Sequence, residues 1–172
     1  MTGVLHPALA LVGQWRLTRQ SEDVRAGAEV RFEGEALLSR DAGSGRLAPP
    51  SPGVGSAAAA RVADGAPLPA TIHLRWAEEG TLHMGGTQTR ARRVYLWRLS
   101  ARAMVEVAYE DGRIFHAFAM APGGGADVRH DCAPDLYEGV YAFDAPDFWR
   151  LTWRVRGPRK DYRMVTEHRR IA

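Results

Sequence analysis

Short segments in which apolar and polar residues alternate, separated by turn residues, dominate this sequence. In residues 147–155 the odd positions carry Trp149, Leu151, Trp153 and Val155, while arginine and threonine occupy the positions between them. A period of two is typical of a β-strand that buries one face. The other predicted strands are residues 14–18, 28–39, 71–78, 80–85, 92–100, 104–110, 113–121, 128–132, 137–143 and 160–169.

Tight turns connect these segments and indicate antiparallel pairing between neighbours. Asp111-Gly112, between two alternating segments, is a strong hairpin signal. No long amphipathic helix follows residue 12. Because closure removes exposed strand edges, we predict an all-β chain that forms one antiparallel up-and-down β-barrel of about ten strands after a short N-terminal helical segment. Further turns are predicted at residues 78–80, 122–125, 145–147 and 156–158.

The length of the chain sets its domain organisation. A chain of 172 residues can bury one sizeable core but is short for two domains of ordinary size. Residues 41–70 are rich in proline, glycine, serine and alanine and offer little that could fill a core. We therefore predict one barrel domain over residues 1–172, with a flexible inserted loop at about 41–70.

Composition indicates a cytoplasmic protein. Cys132 is the only cysteine, which excludes an intramolecular disulfide. The first twelve residues lack the basic segment of a secretion signal, and no apolar run approaches the roughly 20 residues that span a bilayer. The net charge of +3 is spread along the chain. Neither nucleic acid nor a membrane is therefore predicted as a partner.

Gly13-Gln14-Trp15 opens the first predicted strand. It resembles the GxW motif at the start of lipocalins and the wider calycin barrels. In those families the tryptophan closes the bottom of the barrel and packs under a basic side chain from the last strand. The resemblance implies that Arg169 or Arg170 stacks on Trp15 by a cation–π contact.

Five motifs in order carry a wider resemblance. They are Gly13-Gln14-Trp15, RVYLW at 93–97, DGRIFH at 111–116, HDCAPDLY at 130–137 and GPRKDY at 157–162. They look like those of a bacterial family known as domain of unknown function 6314, over nearly the whole chain outside the 41–70 segment. The resemblance implies a calycin-like β-barrel and brings no activity with it.

Lys160 is the single lysine among 23 basic residues. It suggests a site that needs a compact point charge, although a bias of the sequence towards arginine is an equal explanation. If the last strand begins near Lys160, this side chain shares a face with Tyr162, Met164, Thr166 and His168, and that face is the expected interior. The pair Lys160 and Tyr162 resembles the carboxylate anchor of fatty-acid-binding barrels.

The alternative for Lys160 is structural. A lysine near a strand end can pair with a carboxylate such as Asp111 or Asp135 and stabilise a turn, because a buried charge needs a partner. In that case its removal destabilises the protein whether or not a ligand is present.

Arg113 and His116 are three residues apart on one predicted strand, so alternation places them on opposite faces. Phe115 then accompanies Arg113, and Ile114 accompanies His116. The Arg113 and His116 side chains can both line a cavity only if a bulge interrupts the strand. His116 is therefore either a cavity-lining polar group or a core histidine with its hydrogen bonds satisfied.

His130, Cys132 and Asp135 carry ligand atoms suited to zinc. Their spacing completes no recognised metal-binding pattern, so neither a metal nor any other cofactor is predicted. Cys132 is expected to be a small buried residue instead.

The predicted function is binding of a small anionic or amphipathic molecule inside the barrel. Aromatic residues facing inward would suit a planar ligand, with few placed polar groups to orient it. The aromatic candidates are Tyr95, Trp97, Tyr137, Tyr141, Trp149 and Trp153. Lys160 and Tyr162 are the proposed anchor, and the further ligand-binding candidates are Arg113, His116, Tyr137, Arg93 and His130.

Two other functions remain open from the sequence. The same barrel could be an enzyme in which His116 or His130 acts as a general base while Tyr162 or Lys160 stabilises an enolate or oxyanion. Alternatively, outward-facing arginines such as Arg150 and Arg154 could bind an acidic protein partner.

Overall fold

A computed structural model describes residues 6–41, 71–100, 103–121 and 124–172. A single 3₁₀ turn, Pro7–Leu11, precedes ten strands in this part of the chain. The strands are β1 (Gly13–Asp23), β2 (Ala28–Arg40), β3 (Ile72–Met84), β4 (Thr87–Ser100), β5 (Met104–Tyr109), β6 (Ile114–Ala119), β7 (Gly125–Cys132), β8 (Asp135–Ala145), β9 (Phe148–Arg156) and β10 (Asp161–Arg170).

The strands form one antiparallel sheet in the order β6-β5-β4-β3-β2-β1-β10-β9-β8-β7. The first strand pairs with the last, and the end strands β6 and β7 approach each other. The sheet therefore curls into a nearly closed barrel, which confirms the predicted all-β fold and its ten strands. The predicted loop at about 41–70 lies, apart from its first residue, outside the described residues. Within the described ranges, no helix has the length and apolar character needed to cross a membrane.

One end of the barrel is closed around Trp15, which is fully buried. The Arg170 guanidinium lies 4.4 Å from the centre of the Trp15 ring, so the predicted cation–π contact is confirmed with Arg170 as the partner. Trp15 Nε1 donates to the Leu11 carbonyl at 2.9 Å, and Arg170 donates to the Val12 carbonyl at 3.1 Å. These contacts join the N-terminal turn to both β1 and β10. We refer to this region as the closed end.

The turn predicted at residues 78–80 is wrong, because β3 continues through it and turns at Gly85-Gly86, where both φ angles are positive. Gly80 instead faces Gly34 across the β2–β3 pair. A Cβ on Gly80 would lie 2.2 Å from the Glu33 carbonyl oxygen and 2.6 Å from the Gly34 Cα. Glycine at this position therefore permits the close approach of two strands. The residue type is the same as in a turn, but its role here is strand packing.

A β-bulge interrupts the pairing of β5 with β6. Val107 pairs with His116 while Ala108 pairs with Ile114, so Phe115 is an extra residue in β6. The bulge turns both Phe115 and His116 towards the barrel interior and leaves Ile114 exposed. The expectation that Ile114 shares the His116 face is wrong because the extra residue breaks the alternation.

Candidate functional site

The barrel encloses a cavity of about 320 Å³. The alternating residues of β9 that the sequence predicted to face inward, Trp149, Leu151, Trp153 and Val155, all line it. Half of the twenty lining residues are Phe, Trp or Tyr: Trp76, Tyr95, Trp97, Tyr109, Phe115, Tyr137, Tyr141, Trp149, Trp153 and Tyr162.

Aromatic rings pack against one another where the wall approaches the closed end. The Trp149 ring stacks on the His168 ring with their centres 3.3 Å apart, and it meets Trp15 edge to face at 6.0 Å. His168 is buried, and burial lowers its pKa well below the usual value, with the positive charge of Arg19 acting in the same direction. His168 is therefore a neutral packing residue at this depth.

A charged pair crosses the cavity wall from β1 to β3. Arg19 donates to both carboxylate oxygens of Glu78 at 3.0 and 2.9 Å and to the Thr166 hydroxyl at 2.9 Å. Trp76 Nε1 donates to the same carboxylate at 3.2 Å. Burial pushes the pKa of Glu78 upward, but the neighbouring Arg19 outweighs it and holds that pKa below its usual range. The two charges cancel, and the carboxylate is fully hydrogen-bonded.

Arg93 supplies a second cation beside this pair, since it lies directly across from Glu78 on β4. It is on the exposed side of the cavity, away from Trp15, which we call the open end. Its side chain is exposed and donates to the Tyr95 hydroxyl at 3.2 Å. Arg93 makes no ion pair with any residue that the structure describes. Since Arg19 and Glu78 cancel and the lining histidines are neutral, the cavity wall carries a net charge of about +1.

His116, on β6, is the most buried of the predicted site residues, with only 4% of its surface exposed. Its Nε2 lies 2.9 Å from the Tyr141 hydroxyl. Burial, together with the nearby His130, lowers the pKa of His116 to about 3. The imidazole is therefore neutral at pH 7, and the buried Tyr141, whose pKa is raised by burial, keeps its proton.

This buried histidine predicts a loss of stability in mild acid. A folded-state pKa near 3, against the ordinary 6.5, means that only the unfolded chain binds the proton as the pH falls below about 6.5. The free energy of unfolding should then fall by up to about 1.4 kcal/mol per pH unit through this one group. Urea unfolding at pH 7 and pH 5 should show a smaller difference for His116→Phe than for the unchanged protein. Equal differences would contradict the assignment.

The GPRKDY motif places Lys160 at the rim of the open end. Lys160 Nζ lies 2.6 Å from the Asp135 carboxylate and donates to the Tyr137 hydroxyl at 3.1 Å. The side chain is 44% exposed and does not reach the cavity wall, whereas Tyr137 and Tyr162 line it. Hydrogen bonds to Asp135 and Tyr137 raise the pKa of Lys160. Burial and Tyr137 raise the pKa of Tyr162 to about 12.

Arg113 and His130 flank the open end without lining the cavity. Arg113 is exposed, pairs with Asp111 at 2.7 Å and lies 5.6 Å from the centre of the Tyr109 ring. The His130 ring packs against Phe115, with centres 4.9 Å apart. The structure thus brings four of the seven sequence candidates to the cavity wall and leaves three around its rim. The wall holds Arg93, His116, Tyr137 and Tyr162, and the rim holds Lys160, Arg113 and His130.

The sequence analysis missed Arg19 and Glu78. The alternation Trp15, Leu17, Arg19 carries the signal for an inward Arg19, since the first two are buried. Glu78 follows the buried Trp76 by two residues in the same way, but the turn wrongly predicted at 78–80 made its inward position unrecognisable. Both are found when alternation is followed to the end of each strand.

Cys132, expected to be buried, is exposed at the last position of β7. The expectation is wrong because Cys132 borders the β7–β8 turn, where a side chain has no opposing layer to pack against. Across the ranges that the structure describes, no three His, Cys, Asp or Glu side chains come together as a possible metal site.

Comparison with known proteins identifies relatives of the sequence and of the fold. A model described as "Family of unknown function (DUF6314)" matches residues 11–170. No curated protein matches. The solved S-type phycobiliprotein lyase CPES from Guillardia theta is similar in fold, with a TM-score of 0.61 and 12% identity over 95% of this chain and 90% of that chain.

Two redesigned β-barrels bound to DFHBI also align. For mFAP1 the TM-score is 0.40, with 11% identity over 96% of this chain and 99% of that chain. For mFAP0 it is 0.39, with 11% identity over 94% of this chain and 99% of that chain.

Proposed function

The chain belongs to the family of unknown function DUF6314, and from that premise we propose that its barrel binds a small planar molecule carrying one negative charge. One observation carries the proposal. Two arginines, Arg19 and Arg93, line the aromatic cavity against one carboxylate, Glu78, so the wall has one positive charge in excess.

The wall favours a flat, conjugated ligand. Aromatic rings attract other rings through offset-stacked and edge-to-face contacts, which a planar molecule can make on both of its faces. A volume of about 320 Å³ is at the lower end of ligand pockets, which hold roughly 300–1,000 Å³. A molecule of two or three fused rings fits this description.

The charges favour an acidic group at the open end. A carboxylate removed from water needs a countercharge and directed donors. Arg93 offers the first. The lining hydroxyl of Tyr137 offers the second, because it accepts from Lys160 and from the neighbouring Tyr162 and can donate its own hydrogen. Lys160 contributes from the rim by donating to Tyr137, while Arg113 and His130 border the entrance.

Fluorene-2-carboxylate is a suitable probe, and isothermal titration calorimetry measures its affinity. We expect saturable one-to-one binding, weakened at least about tenfold in Arg93→Gln because the bound carboxylate loses its charged partner. Stability should change little, since Arg93 is exposed and Arg19 still donates to both oxygens of the neighbouring Glu78.

Arg92→Gln provides the matched control. Arg92 is the neighbouring residue of β4 and, by alternation, faces the outside of the barrel. This variant should bind the probe as the unchanged protein does. Equal affinities for Arg93→Gln and Arg92→Gln, or no binding to the unchanged protein below about 1 mM, would contradict the proposal.

A further inference from the structure

Two buried polar atoms of the cavity wall have no hydrogen-bond partner among the described residues. They are Nδ1 of His116 and Nε1 of Trp149. Both side chains line the cavity, with 4% and 2% of their surfaces exposed. Because the great majority of buried polar atoms in proteins are hydrogen-bonded, two such atoms on one cavity wall require an explanation.

The two atoms belong to one part of the cavity. The rings of His116 and Trp149 both contact Tyr141, with centres 5.8 and 6.0 Å from that of the tyrosine ring. Trp149 also touches Trp15 at the closed end, whereas Arg93 is exposed at the open end. The unpartnered atoms therefore lie deeper in the barrel than the site proposed for the acidic group.

Both His116 Nδ1 and Trp149 Nε1 are hydrogen-bond donors. Trp149 Nε1 can only donate. The Tyr141 hydroxyl lies within 2.9 Å of His116 Nε2, and donating there satisfies the hydroxyl hydrogen. The opposite tautomer would leave that hydrogen without an acceptor, so the network places the imidazole hydrogen on Nδ1.

The group that these donors bind is a neutral acceptor. Arg19, which lines the cavity with Arg93, already donates to Glu78 and Thr166. A second anionic group here would be buried without a free countercharge. A carbonyl oxygen accepts hydrogen bonds without carrying a formal charge.

Resting on the function proposed above, we propose that the natural ligand is a planar conjugated ketone or quinone acid, whose carbonyl oxygens accept hydrogen bonds from His116 Nδ1 and Trp149 Nε1. The acidic group of the ligand lies at Arg93, and the carbonyl edge lies towards the closed end. The wall thus orients the ligand as well as enclosing it.

Two probes that differ only at one ring position test this assignment. 9-Fluorenone-2-carboxylate carries a ketone where fluorene-2-carboxylate carries a methylene group. We expect the ketone to bind the unchanged protein about tenfold more tightly, and we expect this preference to shrink in His116→Phe, which keeps only the Trp149 donor. The infrared carbonyl band of the bound ketone should shift to lower frequency, as hydrogen-bonded carbonyls do.

The outcomes separate this inference from the function on which it rests. If neither probe binds, both proposals fail. If both probes bind equally and the carbonyl band stays at its position in an apolar solvent, anion binding stands and the carbonyl assignment is overturned. A ketone preference that is as large in His116→Phe as in the unchanged protein contradicts the role of His116. If that variant does not fold, the affinity ratio and the infrared band of the unchanged protein decide.

Discussion

Replacement of Glu78 by alanine should lower the free energy of unfolding by about 3–5 kcal/mol, because it leaves the Arg19 guanidinium buried without a countercharge. Only 14% of the Arg19 side chain and 4% of the Glu78 side chain are exposed. Three hydrogen bonds end on the Glu78 carboxylate, two from Arg19 and one from Trp76. The substitution removes all three acceptor interactions at once.

Urea unfolding at pH 7 measures this loss, and the next residue supplies the control. Glu79 also pairs with an arginine, Arg90, but both side chains are mostly exposed. Glu79→Ala should therefore cost no more than about 1 kcal/mol. Similar losses for Glu78→Ala and Glu79→Ala would contradict the buried pair.

A double variant separates the pair's own attraction from the cost of breaking it. Replacing both Arg19 and Glu78 by methionine removes the two buried charges together. Because an uncompensated charge is the main penalty, Arg19→Met/Glu78→Met should be more stable than Glu78→Ala. A double variant that is less stable would show instead that the ion pair stabilises the barrel strongly.

Replacement of Gly80 by alanine should cost about 3 kcal/mol. The added methyl group would lie 2.2 Å from the Glu33 carbonyl oxygen and 2.6 Å from the Gly34 Cα, both of them main-chain atoms. The Phe32 ring, which packs over this pair of glycines, also approaches the new atom, at 2.8 Å. Relief requires β2 and β3 to move apart, which strains the sheet on which Glu78 depends.

Gly27→Ala is the control for this prediction. Gly27 lies in the β1–β2 turn with φ of +61°, and no atom lies within 4 Å of an added Cβ. Its substitution should cost only about 1 kcal/mol, for the left-handed backbone alone. Equal losses at the two sites, measured by urea unfolding, would contradict the close approach of the two strands.

The strands themselves could be predicted from the sequence because their signal is local. Alternation in β9 identified the inward face, with Trp149 and Trp153 on it, from nine consecutive residues. Asp111-Gly112 identified a hairpin from two residues, and Gly112 adopts the required positive φ. The resemblance to calycin barrels predicted a basic residue stacked on Trp15, and Arg170 is that residue.

Two errors share one physical cause. Glu78-Glu79-Gly80 has the composition of a turn, and only the presence of Gly34 on the paired strand shows that Gly80 serves strand packing. Likewise, no local pattern marks Phe115 as an extra residue, because the bulge is defined by its pairing with β5. In each case the residue that decides the structure lies on a paired strand, and local alternation does not show it.

The sequence by itself determined the approximate number of strands, their antiparallel order and the inward face of the last two, since period-two alternation and turn chemistry act over a few residues. Only the tertiary structure decided which polar groups meet. Arg19 reaches Glu78 across β2, and His116 reaches Tyr141 across β7, so neither pair lies on adjacent strands. Such contacts depend on the curvature and register of the whole barrel, which no short segment specifies.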